Sequence, residues 1–310
     1  MTARFWQWLL LAEGVLAALA AGTLSWLTAV PLVLAWILYL MLWQGLWIAV
    51  TYVAAVVIDR VHGRRNVIGS LLRAPRVVVQ EFCTLGWLKW RMAFEPFVRK
   101  RERHDDRAGS NPVLLLHGVL CNQAVWSYIR RQLLAAGFAP VVAINLEPTL
   151  GSIDLQAVSA LRALEALQKT CNARPVIVIT HSMGGLVARA AMRTLTPAQI
   201  RATFAALITL ATPHHGSELA RLLPGTAPKQ MVPGSSWLVA LNQAQQGAMP
   251  VPVISIYSHD DNLVAPRATA RLPGASTLGL PGLGHFAMLM SAPVWRELRQ
   301  ALQPFVPRPS

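Results

Sequence analysis

Cysteine, lysine and charge are all scarce in this chain of 310 residues. Cys83, Cys121 and Cys171 form no CxxC pair, which excludes a disulfide framework and a thiolate zinc site. Charged residues make up only 14% of the sequence, so a disordered chain is excluded. Lysine occurs only at 89, 100, 169 and 229; the 28 basic residues are therefore mostly arginine, against 14 acids. The arginines are scattered, with no basic stripe interleaved with aromatics and no nucleic-acid motif. A pI near 11.1 then points to anionic lipid and away from nucleic acid. No internal repeat or low-complexity tract stands out.

Charge is missing altogether from Gly14 to Ile58, and before that stretch only Arg4 and Glu13 carry any. Mean hydropathy is positive at +0.42. The uncharged run is too long for one membrane crossing at about 20 residues and too short for three. Gly22, Thr23, Ser25, Thr28 and Pro31 cluster at its break. Residues 1–58 therefore read as a transmembrane hairpin, with helices about 5–21 and 31–57 and Pro31 in the first turn of the second. The second, longer apolar run would stop a secretory signal in the membrane, which argues against a cleaved, soluble product. Trp6, Trp8 and Trp26 fall at expected interfaces, and Trp43 and Trp47 fall deeper, against the first helix. Glu13 reads as an acid close enough to the end to snorkel.

Residues 59–110 read as a juxtamembrane connector. Leu71–Phe97 mixes apolar, tryptophan and arginine residues as an interfacial amphipathic segment does, and Arg99–Arg107 alternates in sign like a solvated linker. Arg4 flanks the hairpin on one side, and Arg60, Arg64, Arg65, Arg73 and Arg76 on the other, whereas Gly22–Ala29 carries no basic residue. Basic flanks stay inside, so the remainder of the chain is expected on the cytoplasmic side of a bacterial-type inner membrane. Three unpaired cysteines suit a reducing compartment.

From residue 111 onward the pattern changes. Val113–Leu116, Val141–Ile144, Val176–Ile179, Ala206–Leu210 and Val251–Ile256 are short, almost wholly apolar runs, as strands buried on both faces should be. Helical stretches lie between and after them, at Trp126–Ala136, Leu155–Lys169, Leu186–Thr194 and Pro293–Phe305. Alternation of this kind predicts an α/β domain over 111–310, with a mostly parallel sheet and helices on both faces. Residues 214–250 lie between two strands and read as a cap or lid, with apolar faces at Leu219–Leu223 and Trp237–Leu241.

Reactive residue types gather at the strand ends. Thr180-His181-Ser182-Met183-Gly184-Gly185 follows the Val176–Ile179 strand and opens a helix. A serine at a sharp strand–helix turn presents its hydroxyl above the sheet, and small neighbours such as Gly184 let the chain turn there. His117-Gly118 follows the first strand, where a loop can offer the Val119 amide to an oxyanion; Met183 would offer a second from the helix start. Gly284-His285 lies beyond the last strand, and Asp260-Asp261-Asn262-Leu263-Val264 just past Val251–Ile256.

These stretches, together with Thr212-Pro213-His214-His215-Gly216-Ser217, resemble an α/β-hydrolase of the bacterial lipase/esterase type over about 111–305. The order Ser182, Asp261, His285 is that superfamily's order. One position departs from the Gly-x-Ser-x-Gly elbow: Thr180 stands where the first glycine would be. The resemblance implies Ser182 as nucleophile, His285 as base, Asp261 as acid, and Val119 with Met183 as the oxyanion hole, supported by His117, Gly118 and Gly184. The step to Leu263-Val264 favours Asp261 over Asp260. It implies no cofactor and no metal. His214 and His215 read as loop residues without a third ligand, and His181 as packing. The expected activity is cleavage of a lipid-like carboxylic ester. An acyltransferase on the same fold, or a non-catalytic membrane scaffold, remains open; the oligomeric state is not legible.

Overall fold

The computed structural model describes residues 2–27, 31–64, 68–96, 111–247 and 249–306. Arg65 and the Arg99–Arg107 linker lie outside them. Six strands, β1 (Val113–Leu116), β2 (Val141–Ile144), β3 (Val176–His181), β4 (Phe204–Leu210), β5 (Val253–Ser258) and β6 (Ser276–Leu280), form one sheet in the order β2-β1-β3-β4-β5-β6. Every neighbouring pair is parallel. This is the α/β-hydrolase architecture expected from the alternation of apolar runs and helices.

Period two decides which face each strand residue serves. Leu114, Leu116, Val176 and Val178 face one core. Val113, Leu115, Ile177 and Ile179 face the other. Helices α5 (Ile153–Thr170) and α6 (Met183–Arg193) cover the first face. α4 (Ser127–Ala135) and α10 (Ala292–Leu302) cover the second. α7 (Pro197–Thr203) leads into β4. Between β4 and β5 the chain forms a 3-10 turn, Glu218–Leu222, then α8 (Thr226–Gln230) and α9 (Ser236–Ala244).

Three helices precede the sheet: α1 (Thr2–Leu27), α2 (Leu32–Val61) and α3 (Ile68–Ala93). α1 and α2 are long and apolar enough to cross a membrane, and both exceed their expected lengths. α1 runs on through Gly22 because Thr23 turns its hydroxyl back to the Ala20 carbonyl at 2.8 Å, inside the helix. α2 runs on past Ile58 because Asp59 is buried against partners in the α/β layer rather than solvated.

The inner stripe of α2 is Ile48, Thr51, Tyr52, Ala55, Val56 and Asp59, one residue every three or four. That stripe docks on the α/β layer: Asn262 Nδ2 donates to Thr51 Oγ1 at 3.1 Å. The start of α1 docks as well, through Trp6 Nε1 to the Leu120 carbonyl at 2.7 Å and Thr2 to Glu147 at 3.1 Å. Trp6 is thus buried inside the molecule and is not an interface tryptophan, whereas Trp8 (69% exposed) and Trp26 (83%) face outward. Glu13 does not snorkel either. It receives Lys89 Nζ of α3 at 2.7 Å.

Candidate active site

The turn from β3 into α6 is built for close approach. Ser182 adopts φ 55° and ψ −128°, a left-handed conformation costing about 1–3 kcal/mol for a residue with a side chain. Its backbone holds that strain by donating N–H to the Leu210 carbonyl at 2.8 Å and accepting Thr212 Oγ1 at 2.8 Å. A Cβ on Gly184 would run into the Leu116 and His117 carbonyls, and one on Gly185 into Thr212. Thr180 is tolerated in place of glycine because it still lies in β3, paired with Leu116 and Thr209, where a β-branched residue fits. The left-handed step falls at Ser182 alone in this turn.

His285 sits in the loop after β6, and its Nδ1 lies 2.9 Å from Asp261 Oδ2 and 3.1 Å from Oδ1. Asp261 also accepts the Leu263 and Val264 amides at 2.7 and 2.9 Å. Burial opposes the charge on both groups. The mutual attraction and these hydrogen bonds outweigh it, holding the Asp261 carboxyl below its ordinary value and raising the His285 imidazole. Asp260 turns the other way: its carboxylate accepts Arg73 Nε at 2.7 Å and the Gly282 amide at 2.6 Å. Of the two neighbouring acids, Asp261 is the one that meets the histidine.

Gly118 packs on Ser182 so closely that an added Cβ would stand 2.8 Å from the serine Cβ. His117 braces this loop by accepting the Leu146 amide at Nε2, 3.0 Å away. Burial drives its imidazole down to about 4, so it is neutral at physiological pH. Val119 follows on the cavity wall, and Met183 heads α6. Among the described residues neither amide has a hydrogen-bond partner, so both N–H groups remain free donors.

Two residues gain a role beyond the sequence reading, and a third, Glu81, escaped it. His181 donates Nε2 to the His285 carbonyl at 3.1 Å, so it orients the histidine loop as well as packing beside it. Asn262 accepts the His285 amide at 3.0 Å. Glu81 of α3 is fully buried, and its two oxygens accept the Phe286 and Ala287 amides at 2.9 and 2.8 Å. Burial lifts this carboxyl to about 7 despite those two bonds. Its signal was present: Val77, Glu81 and Leu88 share one helix face, and an acid on an apolar face needs a partner.

Ser182 and His285 open into one cavity of about 320 Å³. Leu219, Leu222 and Met231 of the expected cap line it, as do Trp6 and Leu9 of α1 and Trp47 of α2. The second expected apolar face of the cap is a core element instead: Leu238 and Leu241 of α9 are buried in the cluster that holds α6. The Glu13–Lys89 pair is the cavity's main charged feature away from the serine. Cys121 is buried, and its thiol is pushed up to about 12, which rules out a thiolate there at neutral pH. His214 is also buried, with Nε2 3.1 Å from Thr209 Oγ1.

Residues 113–297 match the model of the alpha/beta hydrolase family. Among solved structures, lipase B of Aspergillus fumigatus is 22% identical with a TM-score of 0.56 over 64% of this chain and 54% of its own. The chain thus spans about half the length of that lipase. The mature lipase BlEst2 of Bacillus licheniformis is 18% identical with a TM-score of 0.53, covering 66% of this chain and 95% of its own. No curated protein matches the sequence.

Proposed function

The chain belongs to the alpha/beta hydrolase family, and from that premise we propose that it is a membrane-anchored serine hydrolase of lipid-like carboxylic esters. Ser182 attacks the ester carbonyl while His285 takes its proton and returns it to the leaving alcohol. Asp261 holds the imidazole and stabilises the imidazolium. The amides of Val119 and Met183 stabilise the tetrahedral oxyanion, and water then releases the acyl group from Ser182.

The observation that carries this reading is the alignment of His285 Nδ1 on Asp261 at 2.9 Å in the cavity that also holds the strained Ser182. The preference for lipid rests on the wall of that cavity. Trp6, Leu9 and Trp47 belong to helices long enough to cross a bilayer, so an apolar acyl chain meets an apolar surface beside the membrane. With Arg4, Arg60, Arg64, Arg73 and Arg76 flanking those helices, the enzyme would face the cytoplasm.

A panel of esters of graded chain length, run on wild type and Ser182→Ala, tests the activity. Turnover should favour medium or long acyl chains in micelles and vanish in the variant. Strict preference for dissolved acetate esters sinks the lipid assignment, and unchanged turnover in Ser182→Ala sinks the mechanism. A C-terminal reporter active only outside the cytoplasm would overturn the orientation.

A further inference from the structure

A second cavity, of about 560 Å³, shares no lining residue with the first and opens where α2 ends. Arg64, Arg267 and Arg271 line it with His215 and His259, against one acid, Asp59. The charges do not cancel. Asp59 Oδ2 accepts both Arg64 Nη1 at 2.6 Å and Arg267 Nη1 at 2.7 Å, so one carboxylate serves two guanidiniums. Arg271 adds a further cation, whose Nε donates to the Tyr257 hydroxyl at 3.0 Å and not to a carboxylate. Arg267 is 2% exposed; its Nε donates to the Asp261 carbonyl at 2.6 Å and its guanidinium lies over the Tyr52 ring. The Arg267 guanidinium is thus held from within the protein, and Arg64 and the exposed Arg271 are the cations that a ligand in the cavity can meet. His259 reports the same field: burial and then Arg64 hold its imidazole below the ordinary value.

We propose that this cavity binds a phosphomonoester group. A group of that kind carries about 1.5–2 negative charges at pH 7, which matches the excess of two cations, and three acceptor oxygens for the arginine donors. Guanidinium forks suit phosphate geometry. The cavity is larger than a bare phosphate requires, and it lies at the end of a helix long enough to span, the depth of lipid headgroups. The phosphate comes either from a phosphatidate-like headgroup or from a free phosphate ester.

The test uses the full chain in detergent and calorimetric titration with inorganic phosphate, dihexanoyl phosphatidate and dihexanoyl phosphatidylcholine. Phosphatidate should bind about tenfold tighter than the choline lipid, whose phosphate is a diester with a compensating cation. Arg271→Gln should weaken phosphatidate about tenfold, and Arg64→Gln with Arg271→Gln more. Arg271 is exposed, so that variant keeps its fold, and a circular-dichroism melt checks it. Binding of phosphatidate but not inorganic phosphate identifies a headgroup site; equal binding of both identifies a free-phosphate site. Absence of binding by both, or binding unaffected by the arginine substitutions, overturns the proposal.

Discussion

In the α/β layer, apolar side chains close on both faces of the sheet, and Trp126, Phe138 and Phe204 are all buried. In α1–α3 the same residue types face outward, with Trp26, Leu42 (70% exposed) and Leu72 (79%) on the surface. Polar groups run the opposite way. α2 sends Asp59 inward and α3 sends Glu81 and Lys89, to positions less than a tenth exposed. A surface of this kind, apolar outside and charged within, suits a solvent of lipid tails on one side and a polar protein on the other. Ser182 and His285 belong to the α/β layer, yet the histidine loop and the loop that packs against Ser182 are held by the helices, through Glu81 on the Phe286 and Ala287 amides and Trp6 on the Leu120 carbonyl. On this comparison the helices are part of the site and more than a tether.

The largest effects should come from the α/β side. Ser182→Ala should lower turnover by about 10⁶ and Asp261→Asn by about 10⁴, measured on a micellar ester. Asp260→Asn should leave turnover within about tenfold and instead lower the unfolding midpoint, because Arg73 of α3 loses its carboxylate. Equal loss of turnover in Asp260→Asn and Asp261→Asn breaks the division of labour between these neighbours.

Most of the α/β layer was legible because its signals are local: apolar runs of strand length, a serine between a strand and a helix, and acid and histidine in order. β6 was missed because Ser-Thr-Leu-Gly-Leu is half polar and lies at the sheet edge, where one side needs no apolar cover. α7 was missed although Thr196 and Gln199 form a complete capping box, a signal readable without any structure. The inward charges are a different matter. Asp59 meets Arg267 across 208 positions and Glu81 meets Phe286 across 205, and no pattern along the chain reports pairs so remote. Glu13 was read against lipid because its partner, Lys89, lies on a helix whose docking the sequence does not reveal.

Next in size is that Glu13–Lys89 pair, whose side chains are 15% and 10% exposed. Glu13→Gln strands the Lys89 ammonium in an apolar cavity and should cost about 3 kcal/mol of stability in a detergent melt. Glu13→Gln with Lys89→Met should recover much of it, since neither charge is then unpaired. Additive losses would show that the helices do not hold the pair as a unit.

The pH dependence of kcat/KM connects the two regions more finely. On the proposed mechanism His285 must be neutral to accept the serine proton. Asp261 raises it against the pull of burial, so the acid limb should lie above the ordinary histidine value of about 6.5. A limb below that value would break the link between the measured base and a buried His285–Asp261 pair.

Glu81 should have the smallest effect and the most informative one. Its carboxylate adds to the raising of His285 from the helix side. Glu81→Gln removes that charge and turns an amide N–H toward one of two backbone donors, so one hydrogen bond is lost and turnover should fall about tenfold. A role limited to bracing the loop would lower turnover at every pH and leave the acid limb where it was. An electrostatic role lowers the limb as well, because the imidazole loses a favourable negative neighbour and gives up its proton more readily. The same substitution has a signature in stability. The folded carboxyl titrates near 7 against 4.5 when unperturbed, so the native state binds its proton more tightly. That contribution is full below the unfolded value and is lost as pH rises toward 7. Glu81→Gln should therefore lose less stability than wild type between about pH 5 and pH 8. A parallel pair of stability curves together with an unmoved acid limb would reduce α3 to a scaffold.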